Sequence, residues 1–179
     1  DGTTVYYNGN QIGTVTAGKK QTATIGNSVV IFPDKVYYDT AKGTFQSMEA
    51  HVSAAGLVFT TSTITTTGAD WPFRIGDAVE ITGCSKAGNN KTIIVRGVDG
   101  KVLTFYDNSF EAAPENGTVK LSRNVPDLEY ICESNYRLWG VKDNTILGSK
   151  YADPLNFFNY DGLSGDSFYI DVGSDGKFT

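Results

Sequence analysis

Acidic residues in turn-like settings are the first place to look for chemistry in this chain. Asp153, Asp161, Asp166 and Glu133 could supply the paired carboxylates that cleave a glycosidic bond, one as acid and one as nucleophile or base. No spacing selects a pair among them, and each stands where an acidic side chain can bond nearby backbone to make a turn. The run Asp171-Val-Gly-Ser-Asp-Gly176 has the oxygen donors of a calcium loop but lacks the closing Glu, so a turn is the simpler reading. Ser134 and Ser149 lack the Gly-x-Ser-x-Gly setting of an esterase nucleophile. One histidine, His51, argues against a zinc site or a His-based triad. Cys84 and Cys132 have no ligand or disulfide spacing; each lies in or at the end of an apolar strand and is expected to be free, buried and unreactive. The inventory predicts no catalytic residue, no metal and no cofactor, and hence no enzyme.

Aromatic side chains offer a different chemistry, because flat rings stack on sugar faces and fill protein interfaces. Trp139 precedes Gly140 inside a strand and is expected to pack in the core over a neighbouring strand. Trp71 lies in a turn, and Phe158 and Tyr160 lie beyond the Asp153-Pro154 break. These three are the candidate interaction residues.

The elements that must position them are strands. An apolar fraction of 40% and a charged fraction of 20% describe a folded chain, and twenty Gly with ten Tyr and ten Phe favour strands joined by tight turns. Thr3–Tyr7 and Gln11–Thr16 flank Asn8-Gly9-Asn10, a hairpin signal. Val29–Phe32, Lys35–Asp39 and Thr44–Met48 continue the pattern. From Ala54 the style changes to a Thr-rich block that carries five strands between Leu57 and Ser122 and is long enough to close as a small barrel, which hides strand edges. From Val125 the first style resumes, through Leu128–Cys132, Tyr136–Gly140, Thr145–Gly148 and Phe168–Val172. "YYDTAKGTF" (37–45) and "YIDVGSDGKF" (169–178) echo one another across the block, as a repeat array with one insertion would. The expected architecture is therefore all-β, with a discontinuous region 1–55 and 126–179 around an inserted barrel 56–125.

"NYRLWG" followed by "NTILGSKYADPLNFF" resembles a blade segment of the β-propeller-like structural proteins of bacteriophage and prophage tails, such as nozzle proteins. The matching residues are Arg137–Gly140, then Thr145 through Ala152-Asp153-Pro154-Leu155-Asn156-Phe157. "GDAVEITGCSKAGNNKTIIVRGVDGKVLTF" is similar to an SH3-like small barrel inserted in virion proteins. About 110 residues outside that block cannot close a whole propeller of ~40–50-residue blades, so the resemblance implies a partial one. It also implies a non-catalytic role in the virion, made in the bacterial cytoplasm, with other tail or virion proteins as partners, a homo-oligomeric ring of this chain among them. A net charge of −5 with scattered basic residues argues against nucleic acid, and no run has the length of a membrane span. The start at Asp1 reads as a piece of a longer protein. The alternative expectation is a carbohydrate-binding or glycan-cleaving propeller fragment, which the aromatic content and Asp-dense turns favour.

Overall fold

A computed structural model describes residues 2–173 and 178. Strands make up 49% of it and helix 2%. In chain order the strands are β1 (Thr4–Tyr7), β2 (Asn10–Thr14), β3 (Gln21–Ile25), β4 (Ser28–Phe32), β5 (Val36–Asp39), β6 (Thr44–Ser47), β7 (Ala50–Ala54), β8 (Leu57–Phe59) and β9 (Thr63–Thr65). They continue with β10 (Ala78–Thr82), β11 (Thr92–Asp99), β12 (Val102–Phe105), β13 (Ala113–Glu115), β14 (Val119–Arg123), β15 (Glu129–Ser134), β16 (Arg137–Lys142), β17 (Thr145–Gly148) and β18 (Phe168–Asp171). All pairings among them are antiparallel, and no sheet closes on itself. The chain divides into two compact units, Asp1–Glu49 with Val125–Thr179, and Ala50–Asn124.

The first unit holds two four-stranded meanders, β3-β4-β5-β6 and β15-β16-β17-β18, and the hairpin β1-β2. Asn8 and Gly9 both take positive φ (50° and 81°), the backbone of a two-residue hairpin turn. Alternation puts Val30 and Tyr37 on one face of the first meander, and Leu138 and Leu147 on one face of the last. Those faces share a core with Ile25, Phe32, Met48, Val125, Leu128, Leu155 and Phe157. Gly140 makes room for this packing, since a Cβ there would fall 2.9 Å from the Leu128 side chain. Where the chain leaves and re-enters the unit, Lys35 Nζ reaches Glu49 Oε1 at 3.1 Å and Asp127 Oδ1 at 2.6 Å. The Val125 N–H donates to the same Glu49 oxygen at 3.1 Å.

The second unit is one eight-stranded sheet in the order β13-β8-β9-β12-β11-β10-β14-β7. Its first strand is β7, because Ala50–Ala54 pairs along its whole length with β14, so the unit opens a few residues before the change of sequence style. The sheet has eight strands where the sequence suggests five. Thr60 Oγ1 accepts the Ser62 and Thr63 N–H groups, so its hydroxyl turns a β-branched run into the β8–β9 hairpin. Strand β13 contains Pro114, which hides it from a strand pattern but suits the sheet edge it occupies. Leu57, Phe59, Ile64, Val79, Ile81, Val95, Leu103, Phe105 and Leu121 fill the interior, with Phe110 meeting Phe59 and Phe105 edge-on at 5.3 Å. Buried Asp77 receives Arg123 Nη1 at 2.6 Å.

Candidate interaction surface

Pairing places Cys132, Trp139, Gly148 and Phe168 in one row across β15–β18, and Val141, Ile146 and Ile170 in the next on the same side. This is the face opposite Leu138 and Leu147. It is apolar too, yet open: Phe168 is 45% exposed and Ile170 52%, while Trp139, Val141 and Ile146 are half-buried. Apolar residues on both sides of a strand are the signature of a sheet covered on both faces. Here no described residue covers the second face.

Several devices hold this surface rigid. Gly148 leaves its Cβ space to the six-membered edge of the Trp139 indole, whose Nε1 donates to the Ser134 carbonyl at 3.0 Å. Phe168 lies near-parallel to Trp139, 6.0 Å between centroids. Beneath them the buried Arg137 guanidinium donates to the carbonyls of Ser149 (2.6 Å), Asp166 (2.5 Å), Ser164 (3.0 Å) and Gly165 (3.5 Å). Its plane also lies 4.7 Å from the Phe168 centroid and 5.9 Å from that of Tyr151, which in turn packs on Tyr136 at 5.7 Å. The forked donors of arginine thus tie the loop from Ser149 to Asp166 to strand β16.

Strand β18 is the edge of this sheet, and all four of its residues are exposed. The Val172 N–H donates to the Asn144 carbonyl, in phase with the β17–β18 ladder. Antiparallel alternation then turns the N–H and C=O groups of Phe168 and Ile170 towards β17, and those of Tyr169 and Asp171 outward. No described residue bonds those outward groups.

The acids expected near turns serve turns. Asp153 accepts the Leu155 N–H (3.1 Å) and Asn156 Nδ2 (2.7 Å); Asp166 accepts the Leu163 N–H (2.9 Å); Glu133 accepts the Tyr136 N–H (2.9 Å). Asp161 is exposed. Asp171 Oδ1 receives the Thr145 hydroxyl at 2.6 Å, whereas 174–177 and 179, and with them the rest of the calcium-like loop and of the second repeat copy, lie outside the described residues. Among the described residues no group of three or more His, Cys, Asp or Glu side chains is placed to hold a metal. No described helix is long and apolar enough to cross a membrane.

Of the three candidate interaction residues, Tyr160 lies beside the β18 edge but on the side away from the open face, because its neighbour Tyr169 pairs with Leu147. Tyr160 is exposed, meets Tyr169 edge-on at 5.6 Å and donates its hydroxyl to the Phe157 carbonyl; burial of the phenol and the neighbouring Tyr169 push its pKa up. Phe158 is half-buried against the core of its unit. Trp71 is a correction: 6% exposed, it lies in the interior of the second unit and donates its indole N–H to the Lys101 carbonyl at 2.8 Å. Cys132 is a second correction, exposed because its row faces the open side. Trp139 is a third: it does lie over a neighbouring strand, but on the open face. Missed were Phe168, Tyr169, Ile170, Tyr136 and Tyr151; the signal in reach was the adjacent apolar pairs Leu138-Trp139 and Ile146-Leu147, which load both faces. Compared with known proteins, the chain matches no family model and no curated relative.

Proposed function

We propose that this chain is a non-catalytic structural component of a phage or prophage tail, a rigid β scaffold that meets its neighbours through the open face and free edge of β15–β18. The observation that carries the reading is that apolar face, held in place by Arg137 and lacking a cover. The two meanders are then blades of a partial β-propeller laid over a shared core, and the second unit is a small barrel inserted between them. Four antiparallel strands per meander and the return of β14 alongside β7 support those finer descriptions. Its partners are other tail or virion proteins and further copies of itself, including a ring, and its place is the virion, after synthesis in the bacterial cytoplasm. Particles purified from an induced lysogen that carries the gene test this by mass spectrometry and immunogold labelling. Label on the tails is expected; a protein that stays in the lysate and is absent from particles overturns the proposal.

A second reading, carbohydrate binding, is favoured by the paired Tyr136 and Tyr151 rings beside half-buried Trp139. Because Trp71 is buried, Trp139 fluorescence during titration with wall polysaccharide would report it. A saturable change lost in Tyr151→Ala would favour this reading, and a flat titration would remove it.

A further inference from the structure

The free edge of β18 specifies more than a generic contact. Its sequence, Phe168-Tyr-Ile-Asp171, is short and has no proline, no lysine and no bulge, and its single charge, Asp171, is engaged by the Thr145 hydroxyl. The other edge of the sheet differs. Strand β15 has a register shift between Glu129 and Cys132, Tyr130 takes φ 51°, and the Ile131 N–H is bonded to Gln21 Oε1. One edge of the sheet is blunted and occupied, and the other is unpaired among the described residues.

We infer that β18 pairs antiparallel with β18 of a second copy of this chain, about a two-fold axis through Ile170, joining two four-stranded sheets into one of eight. This deepens the assembly role proposed above, and rests on it, by naming the partner and the register.

The register follows from which groups are free. For the open faces of both copies to lie on the same side, the axis must be normal to the sheet and pass through a residue, not between residues. With Ile170 on the axis, Tyr169 of each copy stands opposite Asp171 of the other. Those are the residues whose N–H and C=O groups point outward, so two reciprocal pairs give four new backbone hydrogen bonds and leave no outward group of Tyr169 or Asp171 unused. Moving the axis to Tyr169 would set Asp171 opposite Ser167, whose N–H is already bonded to the Asn159 carbonyl at 3.0 Å. That register forfeits the two bonds the Ser167 N–H would donate and runs into the loop around Asn159. On the open face the Ile170 register sets Ile170 against Ile170 and Phe168 against Val172, so apolar meets apolar. No like charges face one another across the pair.

Site-directed crosslinking tests the register directly. In the full chain with Cys132→Ser, Ile170→Cys puts two thiols across a non-hydrogen-bonded pair, Cα atoms about 4.5 Å apart and within disulfide range. Phe168→Cys sets its two thiols four residues out of step, roughly 13 Å apart and beyond reach. Under a mild oxidant the first is expected to give a crosslinked dimer at least about tenfold faster than the second. Sedimentation velocity adds a measurement without cysteines: the wild-type chain should gain mass with concentration, and Ile170→Lys, which puts two positive charges on the axis, should not. Equal crosslinking at both positions, or none at position 170 in a folded protein, overturns the inference. If the wild type associates and Ile170→Lys associates equally well, assembly stands and this strand pair falls.

Discussion

The two four-stranded meanders of the first unit face the same physical problem and meet it differently. Each has apolar residues on both faces. The first meander turns Val30 and Tyr37 inward and Tyr38 and Phe45 outward, and its outer face is covered by β1–β2. Tyr7 packs on Tyr38 at 5.1 Å, and Gly13 lies so close to Phe45 that a Cβ would fall 2.3 Å from its ring. The last meander turns Leu138 and Leu147 inward and Trp139, Phe168 and Ile170 outward, and nothing described lies over them. Where the chain supplies a lid, the outer residues are part of the fold. Where no described residue supplies one, the same pattern leaves an apolar face in water, the kind of patch that marks an interaction site.

Loss of the Arg137 clamp should have the largest effect. Arg137→Met takes the guanidinium donor from the carbonyls of Ser149, Ser164 and Asp166, while that of Gly165 keeps the Tyr151 N–H, and frees the loop that carries Tyr151 and leads into Phe168. A loss of about 3–4 kcal/mol in denaturant unfolding is expected, since several buried acceptors lose their partner at once. A loss below about 1 kcal/mol would mean that the open face is not held by this residue.

Lifting the lid from the first meander comes next. Gly13→Ala drives a methyl into the Phe45 ring and should cost about 1–3 kcal/mol. Amide exchange over β1–β2 should quicken while exchange in β15–β18 stays the same, making the first meander resemble the last.

Acid should loosen the same lid. Asp34 accepts the Thr16 N–H at 2.6 Å and pairs with Lys20 at 2.5 Å, fixing the exit from β2. Burial alone would raise its carboxyl, but the bonds from Lys20 and Thr16 outweigh it and hold the group at about 2 rather than 3.8. A lowered folded-state pKa means stability present above the unfolded value and lost as pH falls from about 4 towards about 2. The share is about 1–2 kcal/mol, and Asp34→Asn should remove that segment of the stability–pH curve.

The smallest effects on stability belong to the open surface itself. Ile170→Lys should change unfolding by no more than about 0.5 kcal/mol, as exposed substitutions do, while altering association. Thiol labelling divides the same way. Exposed Cys132 should react quickly, and Cys84, whose thiol is pushed up to about 11 by burial and by the Glu115 carboxylate, should react slowly.

Much of this was legible in the sequence where local chemistry decides. Asn8-Gly9 marks its turn, and Val29–Phe32, Tyr136–Gly140 and Thr145–Gly148 mark their strands to within a residue or two. Which face of a strand is covered depends on distant chain and was not legible. Trp139 and Leu138 are neighbours of like polarity, and the neighbouring strands, not their own types, send one outward and the other inward. Trp71 shows the converse, a tryptophan in an irregular stretch that enters the core because the Lys101 carbonyl waits for its N–H. Pro114 and Thr60 misled for local reasons, a proline tolerated at an edge and a hydroxyl that makes a turn.

The central claim is that the last meander presents a free edge and an uncovered face for assembly. Amide hydrogen exchange of the full chain, compared between dilute and concentrated solution, tests it most directly. The account predicts fast exchange at the outward amides of Tyr169 and Asp171 in dilute solution and marked slowing on concentration, with β1–β2 unchanged. Slow exchange at those two amides even when dilute, or concentration-dependent slowing in β1–β2 while β18 stays constant, would contradict it.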